Sequence, residues 1–184
     1  MDKIKLIGLS GSLRKGSYNT LLLENTKKLL PEGVELEIVD ISNIPFFSED
    51  LEANDYPKVV EELNQKLGEA DGFVIATPEY NFSYAPVVKN ALDWASRAEN
   101  APLFGKHAAI ISASPSPFGG ARGQYHLRQV FVSLNLIPVN KPEVMVMSSH
   151  NKFDENGNLT DEFALKLLKE LVHNLVDDIK KGKK

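Results

Sequence analysis

Five short apolar runs alternate with five amphipathic segments along the chain, and this alternation constrains the fold more than any other feature. The runs are nearly continuous in apolar residues, as buried strands are when helices cover both faces of a parallel sheet. The second run alternates and carries more charge, which predicts a more exposed strand. The predicted strands are Ile4–Leu9, Val34–Val39, Phe73–Ala76, Ala108–Ile111 and Val144–Met147.

The amphipathic segments repeat apolar residues at intervals of three and four, so each predicts a helix with one apolar face. The strongest pattern is the last, from Phe163 to Ile179. The other four are marked by Leu21, Leu22, Leu29 and Leu30; by Val59, Val60, Leu63 and Leu67; by Val87, Val88, Ala91, Leu92 and Ala95; and by Leu127, Val130, Phe131 and Leu134.

Alternating strands and helices predict an α/β fold, a doubly wound parallel sheet with right-handed crossovers and helices on both faces. The flavodoxin-like strand order 2-1-3-4-5 needs five strands, whereas the dinucleotide-binding order normally uses six. Five units therefore favour the flavodoxin-like order. A length of 184 residues fits one domain spanning residues 1–184.

Charge and cysteine content narrow the chemistry. A net charge of -4 offers no basic surface for nucleic acid or an anionic membrane. The chain has no cysteine, which excludes disulfides, thiolate metal sites and thiol nucleophiles, so redox chemistry would need a bound cofactor. The four histidines lack metal-ligand spacing, and we expect no metal site. The N-terminal residues are too charged for a signal peptide, and no apolar run reaches the ~20 residues of a membrane span, so we expect a cytoplasmic protein.

In such a sheet, ligands bind beyond the carboxyl ends of the strands near the switch point, here strands one and three with the loop after strand four beside them. The segment after strand one concentrates hydroxyls, an amide, an arginine and a helix N-terminus, which suits a phosphate monoester. It lacks the glycine spacing of dinucleotide and nucleoside triphosphate loops. Helix capping and a tight turn are the alternative interpretation. The candidate residues are Ser10, Ser12, Leu13, Arg14, Lys15, Gly16, Ser17, Tyr18 and Asn19.

The segment after strand three, Thr77–Pro86, combines two prolines with aromatic side chains. A stiff aromatic loop suits a planar ring, although a turn with its aromatics in the core explains it equally well. The candidate ring-binding residues are Pro78, Glu79, Tyr80 and Asn81.

The segment after strand four, Ser112–Gly123, contains Ser114 and the pair Gly119 and Gly120. The glycines allow positive φ angles or close approach of the backbone to a ligand. A flexible surface loop is the alternative. A single phosphate pocket beside a planar-ring site, in a five-strand unit, favours FMN over FAD.

Four blocks resemble the NADPH-dependent FMN reductase family, particularly its chromate and quinone reductases. The blocks are Gly11–Asn19, Thr77–Asn81, Lys89–Trp94 and Gly119–Gln129. The resemblance implies that Ser12–Asn19 hold the FMN phosphate, that Pro78–Asn81 line the ribityl chain and ring, and that Ser114, Gly119 and Gly120 contact the ring from the other side. It also implies a homodimer or homotetramer, with candidate subunit contacts at Arg122, Tyr125, Arg128 and Glu143.

The resemblance further implies the reaction. NADPH or NADH would give a hydride to flavin N5, and a quinone, free flavin, ferric chelate, chromate or azo compound would then take the electrons in a ping-pong mechanism. No catalytic side chain is required, because the flavin carries the chemistry. A flavodoxin-type electron carrier without direct NAD(P)H oxidation is the main alternative, and a flavin-free phosphatase or nucleotide-binding protein is the third.

Two segments depart from the family pattern. Ala85–Pro86 stands where relatives carry Pro-Gly, and Pro115–Pro117 is stiffer and bulkier than expected. Both lie where nicotinamide and acceptor would stack on the flavin, so a narrower acceptor pocket is a hypothesis.

Overall fold

A computed structural model describes residues 3–183, and the fold is α/β with a mostly parallel central sheet. The predicted domain's ends, Met1, Asp2 and Lys184, lie outside the described residues. The strands are β1 Ile4–Ser10, β2 Val34–Val39, β3 Gly72–Ala76, β4 Glu79–Tyr80, β5 Ser83–Tyr84, β6 His107–Ala113, β7 Ile137–Pro138 and β8 Val144–Val146. The helices are α1 Tyr18–Lys27, α2 Glu49–Asn54, α3 Lys58–Glu69, α4 Pro86–Ser96, α5 Ala121–Leu134 and α6 Glu162–Gly182, with a 3-10 turn at Ser149–Asn151.

The main sheet has the order β2-β1-β3-β6, and β7 and β8 both pair with β6. All of its pairings are parallel. The predicted order is therefore confirmed for four strands, and the fifth position is divided: Ile137 pairs opposite His107, whereas Val144 pairs opposite Ile111. Pro138 and Pro142, which have no N–H to donate, flank the interruption. Reading one strand at Val144–Met147 thus missed β7.

Besides β7 and the 3-10 turn, two further features were not predicted from the sequence. One is the short helix α2, and the other is the antiparallel hairpin of β4 and β5. The hairpin turns through Asn81 and Phe82, whose φ angles of 49° and 68° are both left-handed, as a two-residue hairpin turn requires. Phenylalanine stands where such turns usually have glycine, so the hairpin carries no recognisable sequence signal.

Two apolar layers cover the faces of the sheet. One packs α1 and α6 on the sheet, through residues such as Leu22 and Leu171. The other packs α3, α4 and α5, through residues such as Leu67, Leu92 and Phe131. All residues of β3 are buried, which confirms a parallel sheet covered on both sides. Within residues 3–183, no helix combines the length and apolar character needed to cross a membrane.

Candidate functional site

The three unusual segments leave the same edge of the sheet, because they follow the neighbouring strands β1, β3 and β6. Ser10 pairs opposite Ala76, and Ala76 pairs opposite Ile111. We call Gly11–Ser17 the phosphate loop, Thr77–Ala85 the hairpin loop, and Ser114–Gly120 the glycine loop. The Gly11 N–H donates to the Ala76 carbonyl at 2.8 Å, and the Thr77 N–H to the Ile111 carbonyl at 3.1 Å. The sheet register therefore brings the three loops together.

The phosphate loop ends at the N-terminus of α1. The buried Ser17 Oγ accepts the N–H groups of Asn19 and Thr20 at 3.2 and 3.5 Å, which makes Ser17 the helix cap. Ser10 Oγ lies 2.8 Å from Thr20 Oγ1. The capping interpretation is thus correct for Ser17, yet a cap also orients the positive end of the helix toward the loop.

The middle of this loop offers donors to an anion. The Arg14 guanidinium donates to the carbonyl oxygens of Lys15 and Gly16 at 3.1 and 2.9 Å and lies 5.4 Å from the Tyr18 ring centroid. Within residues 3–183, the N–H groups of Leu13, Arg14 and Lys15 take part in none of the hydrogen bonds that hold the loop. Free N–H groups, a guanidinium and a helix N-terminus form a typical anion-binding arrangement.

Asn19 connects the phosphate loop to the end of β6. Its amide oxygen accepts the Ala113 N–H at 3.0 Å, and its amide nitrogen donates to the Ala113 carbonyl at 2.9 Å. The residue is 3% exposed. Asn19, predicted as a ligand-binding residue, therefore holds the protein's own backbone and contributes to the site by position.

The hairpin loop packs directly against the phosphate loop. A Cβ at Gly11 would lie 2.9 Å from Ala85 Cβ and 3.0 Å from Pro78 Cδ, so only glycine fits there. The buried Thr77 Oγ1 donates to the Pro78 carbonyl and accepts the Ala85 N–H, both at 3.0 Å. These contacts fix the start and the end of the hairpin loop.

Glu79 connects the hairpin loop to α5. Its Oε2 accepts the N–H groups of Arg122 and Gly123 at 3.0 and 3.3 Å, and its Oε1 lies 2.5 Å from Arg122 Nη2. The helix cap residue, Gly120, has no side chain to do this. The Glu79 carboxylate therefore caps a helix more than 40 residues away (its side chain is 8% exposed), a role that the sequence did not reveal.

The glycine loop is held from below by buried polar side chains. Ser112 Oγ donates to the Gly119 carbonyl at 2.6 Å, and Gln124 Nε2 donates to Ser112 Oγ at 2.8 Å. Gly119 and Gly120 have φ angles of 59° and 91°, and a Cβ on Gly120 would lie 2.7 Å from Ser112 Cβ. The expectation of positive φ angles is confirmed for both glycines, but what the Gly120 backbone closely approaches is the buried Ser112 side chain. Both glycines are buried, and the alternative of a flexible surface loop was wrong for them.

Sequence reasoning missed Thr77, Ser112 and Gln124 as residues that shape the site. All three are fully buried polar residues. Ser112 interrupts the apolar run of β6, and this was the available signal. Ser114 lies at the start of the glycine loop, where its carbonyl accepts the Ser149 N–H at 3.1 Å.

Exposed aromatic side chains lie on both the hairpin loop and the glycine loop. Tyr80, Phe82 and Phe118 are about half exposed or more, and Asn81 lies at the hairpin tip. A cavity of about 420 Å³ adjoins the hairpin and is lined by Phe46, Phe47, Ser83, Tyr84, Pro86, Lys89, Asn90 and Asp93. Burial raises the pKa of Tyr84, so its phenol stays neutral at physiological pH. Four of the eight residues lining this cavity are polar or charged, so the exposed aromatic side chains are what suit a planar ring.

A larger cavity, of about 1050 Å³, lies at the opposite edge of the sheet. Gln65, Glu69 and Lys106 are among its lining residues, and it is open and mixed in charge. It is remote from the three loops, so the convergence of loops at the carboxyl edge identifies the candidate site better than volume does.

The residues proposed as subunit contacts lie on α5 and the segment before β8. Tyr125 Oη donates to Glu143 Oε1 at 2.9 Å, and Arg128 Nη1 donates to Asn140 Oδ1 at 3.0 Å. Tyr125 is 52% exposed. Three of these residues, Tyr125, Arg128 and Glu143, thus share one surface, whereas Arg122 faces the hairpin loop.

Comparison with known proteins gives one consistent result. Residues 4–151 match the family described as NADPH-dependent FMN reductase. An NAD(P)H-dependent FMN reductase of Pseudomonas aeruginosa is 49% identical over 174 residues, covering 95% of this chain and 94% of that protein. A quinone reductase of Escherichia coli is 41% identical over 167 residues, covering 89% of each. The solved structure of the flavoenzyme NAD(P)H:acceptor oxidoreductase from Paracoccus denitrificans superposes with a TM-score of 0.88 at 33% identity, covering 97% of this chain and 98% of that one.

Proposed function

The chain belongs to the NADPH-dependent FMN reductase family, and we propose that it is an FMN-dependent oxidoreductase that moves electrons from NADPH or NADH to small acceptors. The observation that supports this most is the set of N–H groups around Arg14, before α1, which have no hydrogen-bond partner among residues 3–183. Exposed aromatic side chains of the hairpin and glycine loops lie at the same edge of the sheet. One end of this arrangement suits a phosphate and the other a planar ring, at the switch point of the sheet.

The residues present fit FMN. The phosphate loop would bind the phosphate through the N–H groups of Leu13–Lys15 and the Arg14 guanidinium. The residues that would form or support this loop are Ser10, Ser12, Gly16, Ser17, Tyr18 and Asn19. The hairpin loop, at Pro78–Asn81, would line the ribityl chain and one side of the ring. Ser114, Gly119 and Gly120 would lie on the other side. Bound FMN supplies the hydride acceptor and electron donor of the reaction.

The protein's own contribution is binding and orientation. The junctions of Gly11 with Pro78, of Asn19 with Ala113 and of Glu79 with Arg122 hold the three loops in place before any ligand binds. Preorganised backbone dipoles can then favour the reduced, negatively charged ring. We assign no nucleophile and no obligatory acid or base among the side chains.

Quinones are the acceptors that we propose first, because several similar proteins are named for quinone reduction. Free flavin, ferric chelates, chromate and azo compounds are further candidates. A steady-state panel with both nicotinamides tests this ranking. Because the nicotinamide and the acceptor would take turns at one flavin face, we expect ping-pong kinetics, seen as parallel double-reciprocal plots, and intersecting lines would contradict it.

Stopped-flow mixing tests the proposed function directly. The FMN-loaded protein should lose its yellow absorbance within milliseconds to seconds after mixing with NADPH or NADH alone, and regain it on addition of a quinone. A flavodoxin-type carrier would bind FMN but bleach slowly without a reductase. A protein that stays colourless after incubation with FMN would refute the proposal and favour a flavin-free function.

We also propose a single domain, a cytoplasmic location where reduced nicotinamides are supplied, and a homodimer or homotetramer. The candidate contacts are Arg122, Tyr125, Arg128 and Glu143. Light scattering after size-exclusion chromatography measures the mass, and Tyr125→Ala should lower it if this surface joins subunits.

A further inference from the structure

The Arg122 guanidinium lies between two phenylalanine rings. Its Cζ is 3.9 Å from the centroid of Phe82 and 4.5 Å from that of Phe118, within the range of cation–π contacts. Glu79 Oε1, 2.5 Å from Arg122 Nη2, pairs with the charge from the side. We call Glu79, Phe82, Phe118 and Arg122 the arginine clamp.

The backbone of the clamp is strained at Phe82. A bulky side chain at a φ of 68° is unfavourable, and such outliers persist only where surrounding contacts compensate. Phe82 is also 61% exposed, so burial does not compensate for this conformation. The Phe82 ring instead contacts the Arg122 guanidinium, whose Cζ lies 3.9 Å from the ring centroid. The turn thus keeps an exposed, strained ring in the position where it covers a cation.

The clamp connects the hairpin loop and the glycine loop, which are distant in sequence. Glu79 and Phe82 belong to the hairpin loop, whereas Phe118 belongs to the glycine loop and Arg122 to the first turn of α5. The junction of the phosphate and hairpin loops at Gly11 and the junction at Asn19 are buried. The clamp is the outer junction of the two loops, since its phenylalanine rings are exposed, and both loops would flank a bound ring there.

We propose that Arg122 is a positioning residue that fixes the separation of the hairpin and glycine loops, and thereby limits both the release of FMN and the width of acceptor that reaches it. This inference rests on the proposed function. A planar guanidinium can stack on two rings and pair with a carboxylate at once, which a lysine ammonium cannot do. Loss of the contacts between Arg122 and the two rings would let the hairpin and glycine loops separate at their exposed ends, while the buried junctions would maintain the fold.

The test compares Arg122→Met with a matched control, Arg97→Met. Arg97 also pairs with a glutamate, Glu52, at 2.9 and 3.0 Å, and its Cζ lies 5.9 Å from the ring centroid of Phe47. Arg97 is the C-cap of α4 and Glu52 lies on α2, so this pair belongs to neither loop of the clamp. The first readout is the FMN dissociation rate, followed by flavin fluorescence after dilution of the loaded protein. We expect a rise of about tenfold for Arg122→Met and a change of less than about twofold for Arg97→Met.

The second readout separates positioning from general damage. In Arg122→Met, the KM for a bulky quinone should fall relative to that for a small quinone, while kcat for the small quinone stays close to the wild-type value. Arg122→Lys, which restores charge without the planar stack, should recover less than half of the loss in FMN retention. Phe118→Leu removes only one of the two rings and is the replacement variant if Arg122→Met does not fold. It should raise the FMN dissociation rate by about threefold.

Three outcomes would overturn the inference. The first is an unchanged FMN dissociation rate in both Arg122→Met and Phe118→Leu. The second is an equal rise of this rate in Arg97→Met. The third is a rise of this rate that appears only in variants for which light scattering shows loss of subunits. Wild-type protein that binds no FMN would refute the proposed function itself. Wild-type protein that retains FMN, together with clamp variants that retain it equally well, would refute the clamp alone.

Discussion

The side-chain amide of Asn19, in the first turn of α1, makes two hydrogen bonds with the backbone of Ala113 at the end of β6, at 3.0 and 2.9 Å. These residues are 94 positions apart, and one strand, β3, lies between β1 and β6 in the sheet. The bonds tie the phosphate loop to the glycine loop across β3. The separation of the two loops is therefore fixed by the protein's own hydrogen bonds.

Asn19→Ala should weaken both folding and FMN binding. It leaves two buried backbone groups of Ala113 without partners, each costing about 1–3 kcal/mol. We expect the free energy of unfolding in urea to fall by about 2–4 kcal/mol and the FMN dissociation constant to rise about tenfold.

Asn25→Ala is the matched control for that change. Asn25 is equally buried and donates to Leu21 and Gly157 at 2.8 Å, but on the far turn of α1. It should lower stability by a similar amount without changing FMN affinity. Equal losses of FMN affinity in the two variants would contradict a role for Asn19 in aligning the loops.

Gly120→Ala should disrupt the glycine loop more than conformational strain alone explains. Its φ of 91° disfavours alanine, and the new Cβ would lie 2.7 Å from Ser112 Cβ. We expect a loss of about 2–4 kcal/mol and a lower FMN affinity. Gly33→Ala is the control, because Gly33 has a φ of 78° but no atom lies within 4 Å of the new Cβ. It should lower the free energy of unfolding by only about 1–2 kcal/mol and leave FMN affinity unchanged. Thermal unfolding and fluorescence titration measure both.

Arg14→Met should weaken binding of FMN but not of riboflavin, which lacks the phosphate. Charge-assisted hydrogen bonds to phosphate contribute about 1.5–3 kcal/mol, so the FMN dissociation constant should rise about ten- to hundredfold. The effect should shrink as salt concentration rises, because Arg14 is exposed. Parallel titrations of the apoprotein with FMN and riboflavin provide the measurement. A similar loss for both ligands would place the Arg14 effect on loop structure instead of on the phosphate.

Asp161→Asn should remove a pH-dependent contribution to stability. The Lys152 ammonium, and then the Ala164 N–H at the start of α6, hold the pKa of Asp161 below its ordinary value. A carboxyl whose pKa is lowered by folding stabilises above its unfolded pKa of about 3.9 and loses this contribution as the pH falls through the folded value.

The wild type should therefore exceed Asp161→Asn by about 0.5–1 kcal/mol near pH 7, and this difference should shrink below about pH 4. Urea unfolding at several pH values measures it. The exposed neighbour Glu162 provides the control variant, Glu162→Gln. A difference that grows toward acid pH would contradict the assignment.

Local patterns in the sequence were sufficient for most of the fold. Burial on both faces of β1, β3 and β6 requires apolar side chains at nearly every position, so each of these strands can be predicted from its own segment of the sequence. Ser17 as a cap candidate and the positive φ of Gly119 and Gly120 are likewise local properties. The division of the fifth strand and the hairpin at Asn81 and Phe82 were missed because their usual local signals are weak or absent.

Within the candidate site, the sequence pointed to three loops that follow neighbouring strands, but it did not indicate the contacts that several of their residues make. Glu79 and Asn19 were read as ligand-binding residues, and the structure shows the first capping α5 and the second holding Ala113. Their partners lie 43 and 94 residues away, so no local pattern could indicate them.

The sequence by itself determined the α/β class, the order of four of the five predicted strands and the three loops that follow β1, β3 and β6, because periodicity, propensity and glycine chemistry act over a few residues. Tertiary structure alone decided how those loops are joined: Gly11 against Pro78, Asn19 on Ala113, and Arg122 between Phe82 and Phe118. Such junctions depend on side chains that meet only after the sheet has assembled, since hydrogen bonds and ring contacts are sensitive to distances of a few tenths of an ångström.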